Sequence, residues 1–479
     1  MSAIERRAPS HIDRVPTDVL SYLFRFCLPI FNDPKLKKEW LREEPQGSFS
    51  LNKHIAPLLL CNICREWRNL AVSLPELWTV IHHEADVGTA PRRATLRAID
   101  TWLKRSGQLP LAVYSNSHEV HERFLVHAHR IQRLCIMAYF WRERDVPRGF
   151  RTASFPVLQV IDVKTELPPR FYSSLVSAPC LKEVAWFDPV GSWADRAGSL
   201  ERLPPFLWTR LSKASIATGV TVHQARNLML LCSSLVECLF SVSGALDIDG
   251  EWHNLTHRGI TSLRIQMDTQ LDLADFFHGL TLPSLRTLGL MFDDSKGLRF
   301  ETMNMWTPHD GGWKTFLDFL RRSKCGLVSL ELTRWGLVED MIIELLELVS
   351  FSLEELVING FDSYEEEKFL MRHEFGVEED PPVSISDRAL RRLTYTGVTQ
   401  IPACLCPKLT LLHLDNSIEF HEDVLKAMVA SRQMVDGTAG ISRLDDVEIR
   451  LLERPSYTDR GEEDSDDDGE WTDTEEDSE

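Results

Sequence analysis

An apolar residue followed three and then five positions later by two more recurs along most of this chain, and that recurrence constrains the fold more than any other feature. Clear copies are Ile131, Leu134, Ile136; Leu158, Ile161, Val163; Leu181, Val184, Trp186; Ile260, Leu263, Ile265; Leu285, Leu288, Leu290; Leu327, Leu330, Leu332; Leu353, Leu356, Ile358; Leu390, Leu393, Tyr395; and Leu409, Leu412, Leu414. Leu235, Cys238, Phe240 and Leu444, Val447, Ile449 are weaker copies. The last two apolar residues of a unit are two apart, the spacing at which a strand directs both side chains to one face. Each unit therefore predicts one short strand, with its first residue leaning in from the preceding turn.

Segments of helical spacing, such as Asp340 to Val349 and Phe420 to Met428, lie between these units. The usual separation of about 23 to 30 residues is that of stacked supersecondary repeats, each burying its apolar face only against its neighbours. Parallel stacking then predicts an α/β class of fold, a curved solenoid of ten to thirteen strands with helices outside, over 91–454. Gaps after Leu290 and Ile358 read as inserted loops.

Residues 12–82 are different: helical in pattern and rich in aromatics. Pro16 suits the first helical position, and Asp18 places negative charge in the first turn. Val19, Leu20, Leu23, Phe24, Cys27 and Leu28 follow the spacing of one apolar face. A polar segment, 32–53, reads as a loop. A second helix is expected from near Pro57, with Leu60, Ile63, Cys64, Trp67 and Ala71 inward, ending before Pro75.

At 479 residues the chain exceeds one ordinary core. No run of about 18 uncharged apolar residues is present, so no membrane partner is expected. The N-terminal arginines precede no apolar stretch, which argues against a secretory signal, and cysteines such as Cys232, Cys238 and Cys325 sit in apolar runs. Together these suggest a cytoplasmic or nuclear protein. The net charge is -19, but from Pro455 onward thirteen acidic residues face one Arg, so the tail carries -12 and the remainder -7. That mild remainder offers no basic field for nucleic acid. The tail, 455–479, has too little apolar content to fold and is expected to be disordered. Within it Ser465, Thr472 and Thr474 precede acidic residues and are candidate phosphorylation sites.

Val15-Pro16-Thr17-Asp18-Val19-Leu20, followed by APLLLCNICREWRNLAVSLPELWTVI from Ala56 to Ile81, resembles the F-box: Leu-Pro-x-Glu-(Ile/Val)-Leu, a helix with Val-(Ser/Cys)-(Arg/Lys)-x-Trp, then Leu-Trp. Val15 and Asp18 depart from the motif conservatively, and 32–53 is an insertion. The segment from Thr101 to Leu111, TWLKRSGQLPL, is similar to a block of F-box proteins of mushroom-forming fungi, and FYSSLVSAPCLKEVAW looks like their repeat joint. The repeats are similar to leucine-rich repeats.

The resemblance implies the non-catalytic substrate receptor of a Skp1-cullin-F-box ubiquitin ligase. Val15, Pro16, Val19, Leu20, Leu23 and Leu59 would face or support the Skp1-like adaptor, which links to the cullin. Phe24, Ile63, Trp67, Leu77 and Trp78 would form the F-box core. The repeats would hold a protein substrate that the sequence does not identify. A leucine-rich-repeat scaffold without ligase function is the alternative.

No phosphate loop, nucleophile elbow or other catalytic motif appears, and no catalytic residue, cofactor or metal is assigned. Cys61 and Cys64 have the spacing of half a zinc or redox site but no second half, and with Cys404 and Cys406 they read as buried thiols. His118, His121, His127 and His129 lack the spacing of a helical zinc motif and read as a solvated helix face. Trp141, Trp193, Trp252, Trp306, Trp313 and Trp335 fall in or near expected loops, where aromatic side chains often concentrate binding energy.

Overall fold

The computed structural model describes residues 15–28, 52–84, 91–136, 148–164, 175, 178–187, 208–242, 253–267, 271–292, 311–333, 337–359, 385–397, 404–415, 418–433 and 441–450. Among the described residues three short helices come first, α1 (Thr17–Phe26), α2 (Leu58–Ile63) and α3 (Arg65–Ser73), then a 3-10 turn at Pro75–Trp78. The main sheet contains β1 (Val80–His83), β2 (Leu111–Ser115), β3 (Ile131–Ile136), β4 (Val160–Val163), β5 (Glu183–Phe187), β6 (Lys213–Val220) and β7 (Glu237–Val242). It continues with β9 (Ser262–Met267), β11 (Thr287–Phe292), β12 (Ser329–Thr333), β13 (Glu355–Asn359), β15 (Leu411–Asp415) and β17 (Asp446–Arg450). Two further sheets have two strands each, β8 (Leu255–Thr256) with β10 (Leu280–Thr281) and β14 (Ile385–Ser386) with β16 (Ile418–Glu419).

The main sheet has thirteen strands in chain order, and every neighbouring pair is parallel. Parallel neighbours need a crossover between them. Helices serve in many: α4 (Arg93–Arg105), α5 (His118–Leu125), α6 (Val222–Leu231), α7 (Leu271–Phe277), α8 (Gly311–Ser323), α9 (Glu339–Val349), α10 (Asp387–Leu393) and α11 (Glu422–Gln433). The mixed α/β architecture with parallel strands expected from the recurrence is thus present.

Register explains why leucine dominates. Leu263, Leu288, Leu330, Leu356 and Leu412 are successive partners across five strands, and all five are fully buried. The residues between them, such as Arg264, Glu331 and His413, take the opposite face. Over these strands one side of the sheet is therefore core, and the other carries the half-buried polar residues Arg264, Glu331 and His413.

The unit at Leu390, Leu393 and Tyr395 is not a strand. Leu390 and Leu393 lie in α10, whose start is fixed by Ser386 Oγ accepting from Arg388 N at 3.1 Å. A three-residue apolar step fits one helix face as well as the start of a strand unit, and here the cap decides. Conversely β6 has no leucine in its middle position: Ala214 and Ile216 take the inward places, both buried.

Buried arginines satisfy main-chain carbonyls at helix ends and turns between the strands. Arg432 of α11, fully buried, donates to the carbonyls of Leu393 at 2.8 Å, Cys406 at 3.0 Å and Leu405 at 2.6 Å. Arg226 of α6 does the same for Phe276 at 2.8 Å, His278 at 2.7 Å and His253 at 2.8 Å. The last carbonyls of a helix lack intrahelical partners, so a guanidinium with several fixed donors can close the end of α10 or α7 at once. Burial lowers the pKa of both arginines, yet both stay charged near neutral pH because the ordinary value is so high.

Candidate functional site

Helix α1 follows Pro16, whose carbonyl accepts from Leu20 N at 3.0 Å, so Pro16 is the residue before the helix rather than its first. The apolar positions expected on one face divide between two. Leu20 and Leu28 are partly buried and Phe24 is fully so, with the Phe24 ring 4.9 Å from Trp67 of α3. Val19, Leu23 and Cys27 point away, each one residue and so about 100° from an inward one.

The outward face of α1 is apolar in its own right. Val19 is 46% exposed, Tyr22 59%, Leu23 48% and Phe26 58%, a spacing that lines one side of the helix. Tyr22 and Phe26 meet edge to face at 4.7 Å. Between them Arg25 turns aside to Glu76, its Nε donating to the carboxylate at 3.1 Å. From α2, Leu59 is exposed as well, while Val15 is half-buried and Pro16 exposed.

Ile63 does not join the core expected for it; it is 53% exposed. The helix is interrupted at Cys64, where the backbone is extended and the thiol accepts from Trp67 N at 3.4 Å. That break re-phases everything after it, so positions in register with Leu60 on an unbroken helix no longer share its face. Cys64 is exposed for the same reason, against the buried thiol expected, whereas Cys61 is buried. Trp67 is half-buried, and Leu77 and Trp78 are fully enclosed.

Trp78 ties this helical unit to the sheet. Its Nε1 donates to Ala71 O at 2.8 Å, its ring meets Trp102 of α4 edge to face at 4.6 Å, and the Arg105 guanidinium lies over it at 4.3 Å. Trp102 Nε1 in turn donates to Val80 O of β1 at 3.0 Å. Gly107, with φ +58, ends α4 in the left-handed conformation that favours glycine and leads into β2. Arg130 then closes the corner, donating to Ser106 Oγ and Leu103 O, each at 3.0 Å. The TWLKRSG block is therefore a joint between the helical unit and the first two strands.

The histidine group is not a solvated face. His121 is fully buried, its Nε2 is 3.1 Å from Ser115 O, and burial pushes its pKa down to about 3. His82 and His83 of β1 are also buried; burial, then the neighbouring His83 and Lys164, holds His82 at about 4, and burial lowers His83. His118 is half-buried and His129 exposed. Among the described residues no group of three His, Cys, Asp or Glu is placed to hold a metal ion. Cys404 and Cys406 are buried, and burial raises Cys406 to about 12.

Trp313 belongs to α8 rather than a loop; it is buried, and its Nε1 donates to Glu344 Oε2 at 3.3 Å. Trp141, Trp193, Trp252, Trp306 and Trp335 lie outside the described residues, as do Ser465, Thr472, Thr474, the tail and nearly all of the 32–53 loop. Among the described residues no helix is long and apolar enough to cross a membrane. Sequence periodicity missed Tyr22 and Phe26 as surface residues; their signal was the i, i+3, i+4, i+7 pattern of Val19, Tyr22, Leu23 and Phe26. No family model matches the chain, and no curated protein matches it.

Proposed function

We propose that the chain is a substrate receptor of a Skp1-cullin-F-box ubiquitin ligase, with an F-box at its N-terminal helices and a leucine-rich-repeat-like solenoid in its parallel sheet. The observation that carries this reading is the outward apolar face of α1. It displays Val19 and Leu23, while Leu20 and Phe24 of the same helix hold it to α3 and the 3-10 turn. A face of this kind is suited to a protein partner, since exposed contiguous apolar surface is unfavourable in a free monomer. The face of the sheet opposite the core, which displays Arg264, Glu331 and His413 over its central strands, offers a surface for a protein substrate.

On this reading the chain performs no chemistry itself. It binds an adaptor at one end, a substrate along the sheet, and brings the two together by effective concentration. Copurification of the full chain with a Skp1-type adaptor is the test. Wild type should form a 1:1 complex, and Leu23→Asp with Leu59→Asp should abolish it without lowering thermal stability, because both side chains are exposed. Absence of a complex with wild type at micromolar concentration overturns the reading.

A further inference from the structure

We infer that the chain forms a twofold dimer through its last strand, β17, which pairs antiparallel with β17 of a second copy. This goes beyond the receptor reading and does not rest on it. It starts from a difference between the two ends of the sheet.

At the N-terminal end the core is closed. Ile81 of β1 is fully buried, as are Leu77, Trp78 and Trp102 of the elements that precede and follow that strand. At the C-terminal end it is open in both layers. Val447 and Ile449 of β17 stand in register with Leu412 and Leu414 of β15, yet both are half-buried where those leucines are enclosed. Val424, Leu425 and Val429 of α11 are half-buried too, whereas Ile342, Leu345 and Leu346 of α9 are enclosed. An occupant of this end must therefore cover a strand and a helix together, and a single added peptide strand would leave α11 as it is.

The main chain of β17 is laid out to pair. Over the later strands one carbonyl accepts two successive N–H groups of the next: Val328 O from Glu354 and Glu355, Glu354 O from Thr410 and Leu411, Thr410 O from Asp445 and Asp446. Among the described residues the ladder stops there, and β17 is the last strand of the sheet. Because Asp446 N–H is turned to β15, the alternation of a strand turns the N–H and C=O groups of Val447 and Ile449 to the open side.

Symmetry and charge select the occupant. An antiparallel register centred on Glu448 pairs every residue of β17 with its copy, Val447 opposite Ile449 on the core side and Asp446 opposite Arg450 on the other. Main-chain hydrogen bonds then join each Val447 to the Ile449 facing it, and opposite charges meet at both ends of the strand. A register centred on Val447 sets Asp446 against Glu448, like charges that a sheet disfavours. With its axis perpendicular to the sheet, the same twofold brings both copies of α11 to the core side, where they cover each other's half-buried residues. Since the other end of each chain is closed, assembly stops at two copies.

Sedimentation equilibrium of the full chain tests this. Wild type at micromolar concentration should have twice the 55.0 kDa mass of one chain. Arg450→Asp and Asp446→Arg, each alone, set like charges opposite each other and should weaken self-association by about tenfold or more, with unchanged far-ultraviolet circular dichroism. Mixing these two variants restores opposite charges at both ends and should give a dimer with one chain of each kind. Glu448→Gln removes the like-charge contact on the axis and should tighten the dimer by about threefold. Val126→Ser, at an exposed apolar residue between β2 and β3, should change nothing.

A monomeric wild type overturns the inference, whether residues beyond Arg450 or another protein covers this end. A dimer indifferent to both single charge reversals also overturns it, because the contact then lies elsewhere. Two variants that each dissociate and do not recombine on mixing would rule out the antiparallel register and the inference with it.

Discussion

The guanidinium of Arg264 reaches across Gly289 to the carboxylate of Glu331, 3.4 Å away, so β9 and β12 are joined over the strand between them. Gly289 makes this possible: a Cβ there would stand 2.9 Å from Arg264 Cγ. Gly289→Val should displace the arginine stem and destabilise the protein by about 1–2 kcal/mol, the usual cost of overpacking. Arg264→Ala should relieve most of that cost in the double variant. Urea midpoints of the four proteins in the cycle check it; additivity would mean that the two residues do not compete for the same space.

Acid should destabilise the first strands. The folded pKa of His82 is about 4 and that of His121 about 3, both below an unfolded value near 6.5. The unfolded chain therefore binds more protons between these values. Stability is complete above about pH 6.5 and falls as pH drops toward 4 and then 3, by on the order of a few kcal/mol for the pair. His121→Phe should flatten the pH dependence of the urea midpoint between pH 6 and 4.

Arg432→Met should be among the most destabilising single changes in the C-terminal half. It leaves the carbonyls of Leu393 and Leu405 without their donor and removes one of the two donors to Cys406 O, which also accepts from Leu409 N, at a cost of about 3 kcal/mol or more. Arg388→Ala removes an exposed pair with Asp340 and should cost less than about 1 kcal/mol. Equal effects in thermal melts would remove the distinction between a buried cap and a surface ion pair.

Trp78→Ala opens a cavity where two tryptophans and Arg105 meet and should cost about 3–5 kcal/mol. Near-ultraviolet circular dichroism should lose the signal of the coupled indoles. An unchanged spectrum would show that the joint is not held as described.

What was legible in the sequence follows from which interactions are periodic. Leu263, Leu288, Leu330, Leu356 and Leu412 advertise their strands because register forces like residues to stack. Ala214 hides β6 because a small residue fills the same inward place. Leu390 and Leu393 mislead because a three-residue step serves helix and strand alike, and Ser386, a capping hydroxyl outside the pattern, breaks the tie. In the candidate site, the motif located α1 but could not divide its two faces, since that depends on where α3 and Trp67 lie. Cys64 escaped for a local reason, its extended backbone, which breaks the helix there. The capping arginines were invisible: their partners are main-chain carbonyls of remote helix ends and turns, and no side-chain pattern records them.

Strand order has a metric consequence. Neighbouring strands stand about 4.8 Å apart, so the twelve steps from β1 to β17 amount to a contour of about 58 Å measured across the sheet. Because Trp78 and Trp102 clamp the zero mark of this scale to the N-terminal helices, each strand is a graduation at its own distance from α1. Adding or deleting one strand with its crossover would shift everything beyond it by one division, and a molecule seated on a given strand has its reach from α1 set by counting.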